Sequence, residues 1–525
     1  MTWIRAKETA AITPDAPGLL RHGKKQIALF RVGDSFYAID NRCPHEGYPL
    51  VQGTVDDASC VLTCQWHNWK FRLDTGENTL GEDHVRAYRT KQEGGHLWVD
   101  VTEPTRQELE TEVMRGFEAA VVDRQYGRIA RELSRLLVSG IDPLVAVRHA
   151  VAMSYDKLEY GTTHAYAAAA DWLALYQQMD ADDTRIVCLT EAVDHISDDM
   201  LRHATYPFTE RTERFSGSAF LDAVESEKEE LAIAHMRGAL DAGRTWGELE
   251  PWLAHAALAH YNDYGHAVIY VVKSRQLLSK LGAELTERIL LALTRMLCYT
   301  TRDDLLPDFR AYVNHIERAP SRLGEVYEPL NGVELSGKTT NQMMDWVASH
   351  MSESSPRSLY DALVEASAMN LLRFDEKHAV AAKPSVSLNV SFLGFTHAIT
   401  FANAGRRLAE SYPELWPKVL LQMACFVGRV KRFLRKDLEV TPWQVADAEG
   451  FMAACRDTIL DHGLSEPIFS AHLIKTWTAV GDELPQLPDR TARLVLAALN
   501  RYFHAETKEK HPLRAARQAL ALVNS

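Results

Sequence analysis

Cys43-Pro44-His45 and, after eighteen intervening residues, Cys64-Gln65-Trp66-His67 spell the pattern C-x-H…C-x-x-H. Two thiols and two imidazoles at this spacing suit two neighbouring loops that close on one metal group. A structural zinc ion takes such donors. So does a [2Fe–2S] cluster, with both thiolates on one iron and both imidazoles on the other. The background favours the cluster, because zinc motifs rarely combine C-x-H with C-x-x-H among strands. Phe30-Arg31-Val32-Gly33-Asp34-Ser35-Phe36-Tyr37-Ala38-Ile39-Asp40 precedes the first loop. Trp69-Lys70-Phe71-Arg72-Leu73-Asp74-Thr75-Gly76 follows the second.

With these flanks, roughly the first 100 residues resemble the Rieske family in its soluble ferredoxin and oxygenase form. The resemblance implies that Cys43, His45, Cys64 and His67 hold a [2Fe–2S] cluster that carries single electrons. There are departures. Asn68 stands where the family usually has Gly, and Glu46 where it often has a basic residue. Tyr48 and Trp66 replace the extra loop cysteines of the respiratory-complex proteins, so a disulfide-braced, high-potential cluster is not expected.

The chain is far longer than that domain. Its 525 residues imply two or three domains, and 46% hydrophobic with 25% charged residues is a globular composition. A net charge of −13 argues against nucleic acid or an anionic membrane as partner. The seven cysteines (Cys43, Cys60, Cys64, Cys188, Cys298, Cys425, Cys455) are odd in number and scattered, which suggests free thiols in a reducing compartment. Met1-Thr2-Trp3-Ile4-Arg5 opens a strand-like stretch, and no apolar run approaches the roughly 20 residues of a membrane span. A cytoplasmic location is expected.

Strand-like runs such as Ile27–Val32 and Leu97–Val101 end near residue 102, and Pro104 marks a boundary. Residues 108–138 carry apolar side chains at helical spacing, and that texture persists to the C-terminus. The expected architecture is multidomain: an all-β Rieske domain over 1–103, then a large all-α domain over 104–525. Ordinary Rieske oxygenases continue with a mixed domain carrying N-x-x-D-x-x-H-x-x-x-x-H. The nearest match here, His255-x4-His260, has Trp252 where Asp belongs, and is not carried over.

The helical part contains a loose repeat. Gly161-Thr162-Thr163-His164-Ala165-Tyr166, Tyr264-Gly265-His266-Ala267-Val268-Ile269 and Gly394-Phe395-Thr396-His397-Ala398-Ile399 each place His-Ala after a nearby Gly, at or near the start of an amphipathic helix. Ser470-Ala471-His472-Leu473-Ile474-Lys475 is a weaker copy. Spacings of 102, 131 and 75 residues exclude a regular solenoid. One histidine from each of several helices, aimed at a common interior, is the alternative. Neutral imidazole suits iron, zinc, copper and nickel alike. Lys475 lies one turn from His472. The ordinary role of such a lysine is a snorkelling surface position. If buried, it would lose its proton and could take up CO2 as a carbamate, a carboxylate-like oxygen ligand.

Residues from about 140 to 480 also resemble the questin-oxidase-like family of helical oxidative enzymes. The matching stretches are Tyr155–Leu175, Tyr264–Leu278, Ser391–Glu410 and Ala471–Leu484. That resemblance implies a non-haem iron held by His164, His266, His397 and His472, with Lys475 carbamylated as a further ligand. Other ligand sets remain open. Glu159 with His164, and Glu191 with His195, are carboxylate–imidazole pairs on helices; with His255, His260, Asp263 and His266 they would suit a di-iron site. Asp194-His195 and Asp198-Asp199…His203 read as a solvated helix face or cap. Bulky residues such as Trp172, Tyr176, Tyr261, Tyr264, Tyr270, Trp346 and Phe401 read as core.

No G-x-G-x-x-G follows a strand, so a separate NAD(P)H-driven ferredoxin or flavin reductase is expected to supply electrons. Together these readings give a Rieske-coupled non-haem iron oxygenase. It would use O2 to oxidise a small aromatic or amine substrate of secondary metabolism, including N-oxygenation of an aromatic amine to a nitro compound. The family resemblance implies a homo-oligomer. The competing class is an electron-transfer protein whose cluster is its sole metal.

Overall fold

The computed structural model describes residues 1–201, 204–320, 322–383, 385 and 388–523. It divides into two compact units, Met1–Ala146 and Val147–Ser525. The first holds eleven strands; nineteen α-helices run from Arg106 to the C-terminal end of the described residues.

The apolar run Ile27-Ala28-Leu29-Phe30 explains the β unit. It lies in the strand Lys25–Val32, and all four residues are buried. Alternate side chains of a strand point to opposite faces, so this strand separates two cores. Ala28 and Phe30 join Leu50, Leu62, Phe71, Cys43 and Cys64 on one side. Ile27 and Leu29 join Tyr88, Leu97 and Val99 on the other. The strand lies between Gly18–His22 and Ser35–Asp40 in an antiparallel sheet, with Phe30 opposite Tyr37. A second sheet orders Thr54–Asp56, Val61–Thr63, Lys70–Arg72 and Asn78–Leu80, all antiparallel. A third pairs Trp3–Glu8 and Thr90–Glu93 with His96–Asp100.

The strand texture gives way at Thr105, which caps the helix Arg106–Val122. Thr105 and Glu108 form a reciprocal capping box, satisfying two amide donors that a helix start leaves orphaned. This helix and its partner Tyr126–Val138 belong to the first unit. Asp83, 1% exposed, fixes them to the strands: Arg131 and Arg135 donate to its two oxygens at 2.7 and 3.1 Å.

In the second unit four helices form a closed ring of neighbours: His164–Tyr176, His266–Leu281, Leu393–Ser411 and Pro467–Glu483. Each packs against two of the others. Ala165 to Leu173 are buried on every side, as expected of a helix at the centre of a bundle. Asp182–Leu201 packs on the outside of the His164 helix. Among the described residues, no helix is long and apolar enough to cross a membrane.

Candidate metal centres

The two N-terminal loops are built alike. Cys43 N–H donates to the Tyr48 carbonyl at 2.9 Å, and Gly47 N–H returns to the Cys43 carbonyl at 2.8 Å. Cys64 N–H donates to the Trp69 carbonyl at 2.8 Å, and Asn68 N–H returns to the Cys64 carbonyl at 3.0 Å. Gly47 and Asn68 are therefore equivalent, and both have left-handed φ, +76° and +60°. Asn tolerates that region better than most side chains, which explains how it stands in place of glycine.

Cys43 and Cys64 are buried, and burial, with Cys64 alongside, pushes the Cys43 thiol up to about 11. The rings of His45 and His67 meet edge to face at 4.4 Å, and Trp69 stacks on His45 at 4.9 Å. His45 Nδ1 is buried without a hydrogen-bond partner among the described residues. Two buried thiols side by side and an orphaned imidazole nitrogen both fit a cationic group bound between the loops.

In the helical unit the four histidines converge at one end of the bundle. His164 and His266 begin their helices; His397 and His472 lie in the second turn of theirs. Neighbouring ring centroids are 4.4 to 4.9 Å apart. Imidazole nitrogens of His164, His397 and His472 all lie within 4.8 Å of one another. His266 joins through its Nε2, 2.9 Å from His397 Nε2, and His472 Nε2 is 3.3 Å from the same atom.

What holds the other side of each ring decides the chemistry. His397 Nδ1 lies 2.5 Å from the Leu393 carbonyl, and His472 Nδ1 lies 2.7 Å from the Ile468 carbonyl. His266 Nδ1 lies 3.1 Å from Asp263 Oδ2. Carbonyls and carboxylates only accept, so all three Nδ1 atoms carry the proton. Burial holds these imidazoles below their ordinary pKa, with Lys475 adding repulsion, so each is neutral. Their Nε2 atoms are then bare lone pairs facing one another. A cation among them would turn that repulsion into binding. His164 Nδ1 is held by the Tyr270 hydroxyl at 3.0 Å, and its Nε2 is buried with no hydrogen-bond partner among the described residues. The donor set fits a metal ion that imidazole can hold.

The turn that delivers His266 is strained. Asp263 and Tyr264 have φ of +31° and +50°, and Gly265 has +74°. A Cβ on Gly265 would stand 2.4 Å from the Phe401 ring, so only glycine fits. Strain of this kind persists where the surroundings over-determine it. Here it brings Asp263 back onto the His266 ring.

Lys475 is not a surface lysine: it is 1% exposed. The ring of helices encloses it, because Asp171 and Lys273 fill the adjacent helix faces as an ion pair at 2.6 Å. Among the described residues Lys475 Nζ has no hydrogen-bond partner. Burial lowers it to about 7, Asp171 opposing and Lys273 reinforcing the shift. An amine in this state is a competent CO2 acceptor.

The solvated face expected on Asp182–Leu201 is instead buried. Glu191, Asp194, His195, Asp198 and Asp199 are each less than a tenth exposed, because that face packs on the His164 helix and on the His472 helix. His203 lies outside the described residues. Of the residues considered for a di-iron site, Asp263 lies on His266, while others have separate partners among the described residues. Glu191 faces His462 at 3.1 Å, His255 faces Glu414, and His260 bridges Glu225 and Asp304. Sequence reading missed Tyr270 as a histidine anchor. Its spacing of four residues from His266 was the available signal, and its ring stacks on His266 at 5.3 Å.

A family model described as the Rieske [2Fe-2S] domain matches residues 2–89. The methanesulfonate monooxygenase ferredoxin subunit of Methylosulfonomonas methylovora is 32% identical over 114 residues, which are 21% of this chain and 91% of that protein. The 3-phenylpropionate/cinnamic acid dioxygenase ferredoxin subunit of Escherichia coli K12 is 34% identical over 95 residues, 18% of this chain and 89% of that one. The 4beta-methylsterol monooxygenase of Methylococcus capsulatus is 29% identical over 114 residues, and the match spans only 30% of its length. The solved ferredoxin of carbazole 1,9a-dioxygenase from Nocardioides aromaticivorans IC177 is 28% identical, covering 19% of this chain and all of that one, with a TM-score of 0.19.

Proposed function

The chain belongs, through its N-terminal β unit, to the Rieske [2Fe–2S] family, and from that premise we propose that the whole protein is a Rieske-coupled non-haem iron oxygenase. Cys43, His45, Cys64 and His67 would hold the cluster, which supplies single electrons. His164, His266, His397 and His472 would hold one iron, with Lys475 as its carbamate, as in the questin-oxidase-like resemblance. Iron held there would supply binding and reduction of O2.

The observation that carries this reading is the convergence of the Nε2 atoms of His266, His397 and His472, with His397 Nε2 at 2.9 and 3.3 Å from the other two. The chain's own part is positional. The Leu393 and Ile468 carbonyls and Asp263 fix three ring orientations, and such outer partners govern metal affinity. Tyr270 holds His164 Nδ1 and stacks on His266. The substrate would be a small aromatic molecule or amine, with N-oxygenation among the reactions. Electrons would come from NAD(P)H through a separate ferredoxin or flavin reductase, and the protein would act as a homo-oligomer.

Iron counting tests the reading. A cluster contributes two irons, so the purified chain should hold about three. It should also consume O2 when reduced. Preparations with an intact cluster that hold only about two irons, and show no O2 uptake after ferrous iron is added, would overturn it. The ferredoxin-subunit relatives favour one competing reading, a dedicated electron carrier, and this count separates the two.

A further inference from the structure

Asp171 and Lys273 stand seven residues beyond His164 and His266, on the same faces of their helices. Seven residues are two turns, about 11 Å further along the bundle. Lys475, three residues beyond His472, is felt on both sides. Its charge acts on the rings of His164, His397 and His472, while Asp171 and Lys273 act on it. The His164 helix packs against both the His266 and the His472 helix, and so carries Asp171 between the two lysines. Asp171, Lys273 and Lys475 are 1%, 5% and 1% exposed.

The three side chains are unequally satisfied. Lys273 Nζ donates to Asp171 Oδ1 at 2.6 Å. Among the described residues, Asp171 Oδ2 and Lys475 Nζ have no hydrogen-bond partner. Thr478 stands beside Asp171, but its hydroxyl donates to the Ile474 carbonyl at 2.8 Å. Lys280, half-buried on the Lys273 helix, also interacts with the pair but donates to Gln177 at 2.9 Å. A buried acceptor and a buried amine are thus both left over beside one ion pair, and each is costly in that state. Charge shows what would use them. An amine that takes up CO2 gains an N–C bond, loses one proton and becomes an anion. In water the solvent takes that proton. In a closed interior an unbalanced new anion is strongly disfavoured, and Asp171 Oδ2 is the unused acceptor.

We propose that Asp171 takes the proton released when Lys475 is carbamylated, and that Lys273 is the fixed cation that pairs first with the Asp171 carboxylate and then with the carbamate. In balance, the Lys475 amine, CO2 and the Asp171 carboxylate become the Lys475 carbamate anion and the neutral Asp171 acid. No electron is transferred, and the three side chains keep a net charge of zero throughout. The new acid O–H and the Lys273 ammonium then both have carbamate oxygens to donate to. The proposal rests on the carbamate assigned to Lys475 in the oxygenase reading but is tested apart from turnover.

The experiment measures carbamate on the full, cluster-loaded chain, by carbon NMR with isotope-labelled bicarbonate and by triethyloxonium trapping followed by peptide mass spectrometry at Lys475. Iron content is measured on the same preparation. Dissolved CO2 is held constant from about pH 8 to about pH 9. A proton kept on Asp171 makes carbamate occupancy flat across that range, which is the expected result. A proton released to solvent makes the carbamate-to-amine ratio rise about tenfold per pH unit. The double variant Asp171→Asn/Lys273→Met removes acceptor and cation together and leaves neither charge behind. It should fold, because a buried ion pair contributes little beyond apolar residues of its volume. It should lose most of the carbamate, and what forms should rise with pH. A wild-type ratio that climbs about tenfold per unit, no wild-type carbamate, or a double variant that matches the wild type would each overturn the proposal. The wild-type profile needs no variant, so it decides the matter if the double variant fails to fold. A flat carbamate profile on a chain with cluster iron alone removes the oxygenase reading and leaves the buried trio. A chain with the additional iron and no carbamate does the reverse.

Discussion

His266 and His397 are 131 residues apart, yet their Nε2 atoms face each other at 2.9 Å, each with its Nδ1 proton already given to an acceptor. Two lone pairs at that distance repel in the low-dielectric interior unless a cation lies between them. His397 is the hub, because His472 Nε2 also approaches it, at 3.3 Å.

His397→Ala should therefore remove the iron of the helical unit, lowering the count from about three to about two per chain while cluster absorption stays unchanged. Tyr270→Phe removes only the hydroxyl that holds His164 Nδ1, and should weaken metal affinity by about 10- to 100-fold. Metal titration of the cluster-loaded protein reads both. Full iron retention by His397→Ala would strike that residue from the ligand set.

Lys475 carries an opposite pair of expectations. Its buried Nζ lacks a partner, so Lys475→Met should stabilise the metal-free protein by about 1–3 kcal/mol, the usual penalty for an unsatisfied buried polar group. The same variant should lose any bicarbonate dependence of iron loading. Urea denaturation followed by circular dichroism gives the first quantity and iron analysis the second. A Lys475→Met protein that is less stable when metal-free, or that loads iron as the wild type does, contradicts the role assigned to the lysine.

The left-handed positions make a third prediction. Asn68→Gly should keep the cluster, because glycine adopts φ near +60° without penalty, whereas Asn68→Val should lose most of it. Gly265→Ala should destabilise the helical unit by about 1–3 kcal/mol, since the new methyl meets Phe401 in a strained turn. Visible absorption of the cluster and thermal unfolding read these outcomes separately.

Asp304 sets a pH dependence. Burial raises its pKa, but bonds from Arg302 at 2.8 Å to each oxygen and from His260 at 3.2 Å outweigh it, and the result is about 2. A carboxyl depressed from its unfolded value near 3.8 contributes stability that is full above that value and lost as pH falls towards 2. The Asp304 side chain is buried but its Arg302 partner is part-exposed, so after solvent screening the contribution is about 1 kcal/mol. Asp304→Asn should therefore be less stable than wild type at pH 7, with the deficit shrinking below about pH 4. A deficit independent of pH in urea titrations would show that the carboxylate charge is not what holds this site.

The sequence by itself determined the N-terminal half of the argument. The cluster loops are legible because each supplies its Cys and His from one short turn, and because the flanking apolar runs are short and bounded by Gly, Asp and Pro. The change to helix after Pro104 is equally local, since hydrophobic period is a property of neighbouring residues. Local context also singled out His164, His266, His397 and His472 as a set, each beside a helix start. Only the tertiary structure decided what surrounds them. Period tells which residues share a helix face but not what packs on that face. For that reason Lys475 could be read as a surface lysine, and the acidic face of Asp182–Leu201 as solvated, until the His164 and His472 helices were seen to cover them. Tyr270, the Leu393 and Ile468 carbonyls and the strained Asp263–Gly265 turn act through space on rings whose orientation no spacing encodes. The closure of four distant helices into a ring is what turns four separate imidazoles into one candidate metal centre.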